Sequence, residues 1–440
     1  MGDQIEVSEL DTGGELVAHV AALDIAKASA MVCTRVPGNG SHKRQEIFKT
    51  GATTAAILEL SDHLVCQGIE LVVMESTSDY WRPFYYLLED RGLTCWLVNA
   101  RDVKNVPGRP KTDKLDAVWL AKLAERGMLR RSFVPPAAVR RIRDLTRARA
   151  VLTADRTAFK ERVEKVLEDA QIKLSTVVSD LFGVSGRAML RALVSGERSP
   201  RVLAGLAHGC LRAKPEDLME ALRGRFDDHH GYLIRLYLES IDHLDAQIAD
   251  LGHRIEAAIA ELDPARTDGP DAGGGRQLTL VERLSEIPGV GVVTAQNILA
   301  ETGFDMSVFP TPGHLASWAK LTPRTLQSGA KHSTGGTGHG NPWLRRALGT
   351  AAVTAGKSRS FLGTRYRRLI KRKPKKKAQT ALARNIIEIV WQLIADPSAR
   401  YTDLGADWYE RRTDPERRTR ELVRELERLG NTVTLTPAPA

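Results

Sequence analysis

The sequence predicts an α/β unit built on a mixed sheet, followed by an all-α remainder, and three observations predict it. From about residue 17 to 130 short apolar strands alternate with helix-length segments. From 139 to 262 apolar residues recur with a 3.5-residue period, and from 278 to 398 helical stretches are joined by glycine-containing turns. A chain of 440 residues exceeds one typical core, so two or three domains are expected.

After an N-terminal extension (1–16), the segments LVAHVAALDIA, ASAMVCTRV and KRQEIFKT read as three strands separated by polar or glycine turns. TTAAILELSDHLVCQG reads as a helix leading into the apolar strand IELVVME. SDYWRPFYYLLEDRG is a second helix before the strand LTCWLVNA, and KTDKLDAVWLAKL opens a third. Three strands and then helix–strand–helix–strand–helix is the element order of an RNase H-like mixed sheet, expected over 17–135. A doubly wound nucleotide-binding sheet would want a glycine-rich turn after the first strand, and ALDIAKAS supplies none.

Leu145, Leu152, Phe159 and Val166 recur every seventh residue, while Ile241, Leu244, Ile248, Leu251 and Ile255 alternate steps of three and four, with Ile234, Tyr237 and Leu262 extending the series. That is a coiled-coil seam over 139–262. The less regular, arginine-rich stretch of about 180–228 reads as an inserted tip on an antiparallel hairpin, although the seam could equally pair with a second copy. Residues 263–277, with DPARTDGPDAGGGR, are a linker by composition. A second domain is expected over 278–398, and a tail over 399–440 carries the charged helix DPERRTRELVRELERLG.

Lys and Arg number 64 against 54 Asp and Glu, a formal charge of +10, which favours a polyanionic partner through counterion release. No run of about 18 apolar residues suggests a spanning helix. The first twenty residues are acidic and lack a signal pattern, so the protein is expected to stay in the cytoplasm, with no membrane partner. Cys33, Cys66, Cys95 and Cys210 are scattered, without the spacing of a disulfide framework or zinc site, and read as small buried hydrophobes. Aromatic residues make up only 5% of the chain, against a base-stacking platform as the main activity.

Asp24 ends the first strand and Glu75 ends IELVVME, where an acid emerges at the carboxyl edge of a sheet. Asp113 and Asp116 are three apart, on one face of a helix that Thr112 could cap. Singly, such acids are turn, cap or surface residues. Together they supply enough oxygens to hold Mg2+ against a scissile phosphate. The stretch LSEIPGVGVVTAQNILAETG is a helix-hairpin-helix pattern: the turn with Gly289 and Gly291 could hold a DNA phosphate, or the glycines could merely allow close packing.

In LTPRTLQSGAKHSTGGTGHGNPWLRRAL, Ser328 is followed by Gly329 and flanked by Arg324 and Lys331, which makes it a candidate nucleophile. A loop serine more ordinarily just hydrogen-bonds phosphate, and Ser333 and Ser185 have similar local settings. Asn341 and Pro342 start a helix that presents Arg345 and Arg346. The basic run RYRRLIKRKPKKK, with Arg372 and Lys375, is a further nucleic-acid contact. His229 and His230, adjacent and so pointing in different directions on a helix, read as surface or tip residues rather than a metal pair.

With these residues in place, the sequence resembles the DEDD-type insertion-sequence transposases (the IS-one-ten family), RNA-guided recombinases with a RuvC-like domain, over roughly residues 17 to 398. Asp24 in LDIAK, Glu75 in VVMES, Asp113 and Asp116 in KTDKLDA, Ser328 in PRTLQSG and the segment GHGNPWLRRAL follow the family's order. The resemblance implies that the four acids bind magnesium and that Ser328 attacks a DNA phosphate through a transient phosphoserine link. It further implies a homo-oligomer, dimer to tetramer, in which acids and serine come from different protomers. Its implied partners are donor and target double-stranded DNA and a structured noncoding guide RNA, in a prokaryotic, nucleoid-associated setting. A metal-dependent junction nuclease without serine chemistry and a non-enzymatic nucleic-acid scaffold are the competing readings.

Overall fold

The computed structural model describes residues 17–38, 43–76, 78–99, 113–263, 278–329, 331–412 and 415–436. Contacts divide the chain into two compact units, Met1–Val134 and Pro135–Ala440. The first carries strands β1 (Val20–Ile25), β2 (Ser29–Pro37), β3 (Lys43–Gly51), β4 (Leu71–Glu75) and β5 (Thr94–Val98), with helices α1 (Thr54–Cys66), α2 (Trp81–Asp90) and α3 (Asp113–Glu125). Sheet order is β3-β2-β1-β4-β5. The first three strands pair antiparallel, while β1–β4 and β4–β5 are parallel. This is the RNase H-like arrangement expected from the sequence.

Successive strand residues point to opposite faces, and both faces are apolar here. Ala21, Leu23, Ile25, Val72 and Met74 pack in one core with Ile57 and Leu64 of α1 and Phe84 and Leu88 of α2. Val20, Ala22, Leu71 and Val73 pack in the other core with Ala117, Leu120, Ala121 and Ala124 of α3. The edge strand β3 is mostly exposed and carries Lys43, Arg44, Glu46 and Lys49, charges that discourage pairing with another chain.

In the second unit, α4 (Ala137–Asp169) and α8 (Asp228–Leu262) form a hairpin. The pairs Asp169–His230, Arg156–Asp245 and Ile142–Ile259 descend one helix as they ascend the other, so the helices are antiparallel. Its far end carries α5 (Val184–Val194), α6 (Pro200–Gly205) and α7 (Pro215–Ala221), with a core of their own around Leu174, Met189, Leu190, Leu203, Leu218 and Ile234. Along the rod between, Leu152, Phe159, Ile248 and Leu251 are only half-buried.

The remaining helices are α9 (Leu280–Ser285), α10 (Val292–Thr302), α11 (Pro312–Trp318), α12 (Pro342–Lys357), α13 (Phe361–Ile370), α14 (Lys375–Ala395), α15 (Trp408–Arg411) and α16 (Pro415–Arg428), with a hairpin of β6 (Thr325–Ser328) and β7 (Lys331–Thr334). Ile142, Ile255 and Ile259 share a core with Ala300 of α10, which joins the rod to this bundle. Buried Arg283 donates to the carbonyls of Leu393, Asp396 and Ala399 at 2.9–3.1 Å, satisfying the C-terminal end of α14 and the turn after it. Of the proposed linker, 263–277, Asp263 is buried and accepts from the Leu280 amide at 2.7 Å, and residues 264–277 lie outside the described residues.

Candidate functional site

Strand parity decides where the acids of the first unit lie. Asp24 shares its face with Val20 and Ala22, and Glu75 shares its face with Leu71 and Val73, so both belong to the side that α3 covers. The parallel register pairs Leu23 with Met74, which makes Asp24 and Glu75 neighbours at the carboxyl ends of adjacent central strands. At the other end of this face, Glu125 of α3 accepts from Arg35 at 2.8 Å and pairs with Lys43 at 3.1 Å. Arg35 stands opposite Val20 at the start of β1, so α3 runs back along β1 with its N-terminus towards Asp24.

The lengths agree: ~13 Å of strand separate Val20 from Asp24, and ~13 Å of helix separate Glu125 from Asp116. Asp116 therefore comes level with Asp24. Positions 113 and 116 continue the stripe of Ala117, Leu120, Ala121 and Ala124 that faces the sheet. The side chain of Asp113 and the segment 100–112, including Thr112, lie outside the described residues. Among the described residues no three His, Cys, Asp or Glu side chains close into a metal-holding group. The candidate acids are all carboxylates, whose oxygens are what a hard divalent cation takes. Burial pushes the Glu125 carboxyl up, but the hydrogen bonds and charges of Arg35 and Lys43 outweigh it and hold it below the usual range.

In the second unit the turn between α9 and α10 separates the roles of its two glycines. Gly289 has φ +89°, and a Cβ there would meet Ala351 O at 2.3 Å and Ala355 N at 2.6 Å, so it serves close packing against α12. Gly291 is the N-cap of α10 and has open space around it. The next two residues, Val292 and Val293, expose 54% and 55% of their surface.

Ser328 ends β6 and pairs with Lys331, and Gly329 in the turn has φ +57°, the left-handed conformation that two-residue hairpin turns favour. The serine segment is thus the tip of a hairpin rather than an irregular loop. The side chains of Ser328 and Lys331 lie outside the described residues, and Arg324 at the base of the hairpin is exposed. Asn341 caps α12, accepting from the amides of Trp343 and Leu344 at 2.9 and 3.2 Å. Arg345 donates to Thr337 at 3.0 Å, and Arg346 is exposed. Arg372 and Lys375, also exposed, lie between α13 and α14 and at the start of α14.

A family model for DEDD-type IS110 transposases, described as a transposase, matches residues 21–172. A second, described as the transposase IS116/IS110/IS902 family, matches residues 281–367, and the two spans together take in more than half of the chain. The chain belongs to the IS110 family of DEDD transposases. It is 36% identical over 115 residues to a Streptomyces coelicolor protein named "Insertion element IS110 uncharacterized 43.6 kDa protein". That stretch is 26% of this chain and 28% of the relative, so the similarity spans under a third of the curated relative's length.

Within this IS110-family chain the first span holds Asp24, Glu75, Asp113 and Asp116, and the second holds Gly289, Gly291, Ser328 and Arg346. Arg372, Lys375 and the inserted tip of about 180–228 fall outside both. The acids belong to one compact unit and Ser328 to the other.

Two sequence readings need correction. His230, read as a surface or tip residue, is buried at the tip end of α8: its amide donates to Asp227, its ring accepts from the Asp227 amide, and it also reaches Asp169 at 3.2 Å. It closes the capping box of α8. The backbone and side-chain hydrogen bonds of His230 hold the Asp227 carboxyl below its ordinary value. Of the cysteines, Cys33 is buried and Cys95 half-buried, but Cys66 and Cys210 are exposed. Burial pushes the Cys33 thiol up to about 11 and Cys95 to about 12. Ser185 is a structural residue, accepting from the His208 amide at 2.9 Å.

Sequence reasoning missed Glu301. It is 1% exposed, takes a two-pronged contact from Arg147 at 2.8 and 2.9 Å, lies 3.1 Å from Arg143, and accepts from Asn341 at 2.5 Å. One carboxylate therefore ties α4, α10 and the cap of α12 together.

Proposed function

We propose that this chain is the transposase of its insertion sequence, a site-specific recombinase that cuts and rejoins double-stranded DNA. The observation that carries the reading is the convergence of Asp24, Glu75 and the N-terminal end of α3 on one face, at the carboxyl ends of two adjacent parallel strands. Asp24, Glu75, Asp113 and Asp116 would hold Mg2+, which when bound neutralises charge on a scissile phosphate. The exposed cations Arg324, Arg346, Arg372 and Lys375, with Lys331, Arg345, Gly291, Gly329 and Asn341 nearby in sequence, hold the DNA backbone. Gly289 belongs to the same set: its packing against α12 shapes the turn whose amides would meet a phosphate.

In the chemical step the Ser328 hydroxyl oxygen bonds to phosphorus and gives up its proton to solvent. The phosphorus–oxygen bond to one DNA strand breaks, and the departing DNA oxygen takes a proton to become a hydroxyl. Attack of a second strand's hydroxyl on the phosphoserine reverses this and restores the serine. Following the family resemblance, the reading includes an oligomer, dimer to tetramer, in which the acids and Ser328 of different protomers complete one site. A structured noncoding RNA from the element supplies sequence choice by pairing, while the protein reads backbone and shape. The working place of such a complex is the nucleoid in the cytoplasm.

The test traps protein on DNA. Wild type with Mg2+ should form a denaturation-resistant adduct, Ser328→Ala should form none, and Asp113→Asn should lose both adduct and cleavage. Cleavage that survives Ser328→Ala but not Asp113→Asn would assign the chain to the junction nucleases, and a wild type that never forms an adduct under any metal condition would remove Ser328 from the chemistry.

A further inference from the structure

Beside the α9–α10 turn, a groove of about 190 Å³ opens between α4, α10 and α12. Its apolar lining is Ala150, Val293, Ala347 and the ring of Trp343, and Thr294, Asn297 and Thr350 bring polar groups to it. Arg147 lies over the Trp343 ring, 5.6 Å from its centroid. That guanidinium cannot swing away, because both of its prongs are bound to buried Glu301.

We infer that this groove seats a single unpaired nucleobase of a bound nucleic acid. The inference rests on the reading that this part of the chain binds nucleic acid, and it names which part of the strand enters. A phosphate does not suit an apolar lining, and the donors Arg147 could offer one are engaged by Glu301. A flat heteroaromatic ring does suit it, with Trp343 for stacking and polar side chains to meet ring nitrogens and carbonyls. The Asn297 carbonyl already accepts from Arg149 at 3.1 Å, so what Asn297 has left to offer is its amide hydrogens, donors to a base edge.

Charge complements the seat from outside. Arg346 lines the groove, is exposed and has no hydrogen bond or ion pair among the described residues, so it is available to the phosphate attached to the seated base. Val292 and Val293 stand exposed at the same turn, and apolar side chains in that position loosen base steps as they press into a duplex. One tryptophan in one groove also agrees with a chain too poor in aromatic residues for a strand-long stacking surface.

The experiment measures full-length protein binding to a short DNA duplex with one extrahelical thymine and to the same duplex fully paired. An RNA duplex with an extrahelical uridine, and its paired control, form a second arm. An unpaired base avoids the energy of extrusion, so wild type should prefer the bulged DNA, the bulged RNA or both by about tenfold, and the larger ratio identifies the strand. Trp343→Ala and Ala150→Phe, the latter filling the groove without removing a contact, should each bring that ratio towards one.

Binding of paired duplexes with no preference for either bulge overturns the seat and leaves the recombinase reading standing. Absence of binding to all four probes overturns both. A preference unchanged by Ala150→Phe, or a change only in the oligomeric mass of that variant, assigns the groove to protein contacts and overturns the seat.

Discussion

Replacing Glu301 by alanine gives the sharpest test of how the second unit is held together. The substitution leaves Arg143 and Arg147 beside each other with no anion between them, and removes an acceptor from Asn341. Removing one member of a buried ion pair costs about 3–5 kcal/mol. Arg143 and Arg147 keep 16% and 27% of their side-chain surface in water, which places the loss at the lower end, about 3 kcal/mol. Urea unfolding followed by far-ultraviolet circular dichroism reads mainly this helix-rich unit. With a slope of about 3 kcal/mol per molar urea for a unit of this size, the midpoint should fall by about 1 M. Glu301→Gln keeps a hydrogen-bonding group and should lose less. A cycle of Glu301→Ala, Arg147→Ala and the double variant should show coupling of about 1 kcal/mol or more. A midpoint that hardly moves, or losses that simply add, would refute the idea that this carboxylate joins the three helices.

Gly289→Ala should destabilise by about 2 kcal/mol or more, since it adds a left-handed strain to a backbone collision, whereas Gly291→Ala should leave the unfolding midpoint nearly unchanged. If Gly291 holds phosphate, that second variant should still weaken DNA binding, as read by fluorescence anisotropy. Glu125 is held below its ordinary range in the folded state, so its stabilisation is full above the unfolded carboxylate value of about 4.3 and fades as pH falls through the depressed folded value. The thermal midpoint of wild type should therefore exceed that of Glu125→Gln near neutrality, with the gap closing only in acid; a gap constant with pH would contradict the pairing. Thiol titration of the native protein at pH 8 should label Cys66 and Cys210 quickly and spare Cys33 and Cys95, whose burial keeps them protonated, until urea is added.

The inner strands of the sheet were legible because they carry their own signal: apolar runs such as LVVM need burial on both faces, and Glu75 marks where that burial stops. The cap at Asn341 was legible for the same local reason, since an Asn-Pro pair can start a helix wherever it stands. Glu301 was not legible. It sits in an ordinary helical stretch, and its partners Arg143 and Arg147 lie more than 150 residues away, brought near only by the packing of α4 on α10. The burial of His230 was missed because two adjacent histidines were weighed only as a metal pair, when Asp227 three positions earlier was the telling sign of a capping box. The β6–β7 hairpin escaped notice because its short strands are polar, and polar strands lack the alternation that marks a buried face.

The rod formed by α4 and α8 has a firm core at each end and a thinly packed shaft between them. Such a shaft is a ruler. Adding seven residues to both helices at matching positions keeps the same faces in contact and moves the tip outward by about 10.5 Å with little rotation. Adding five residues, far from a whole number of turns, would swing the tip around the rod axis instead. Lengthening the rod by whole heptads would thus change how far the tip reaches while leaving the core at either end as it is.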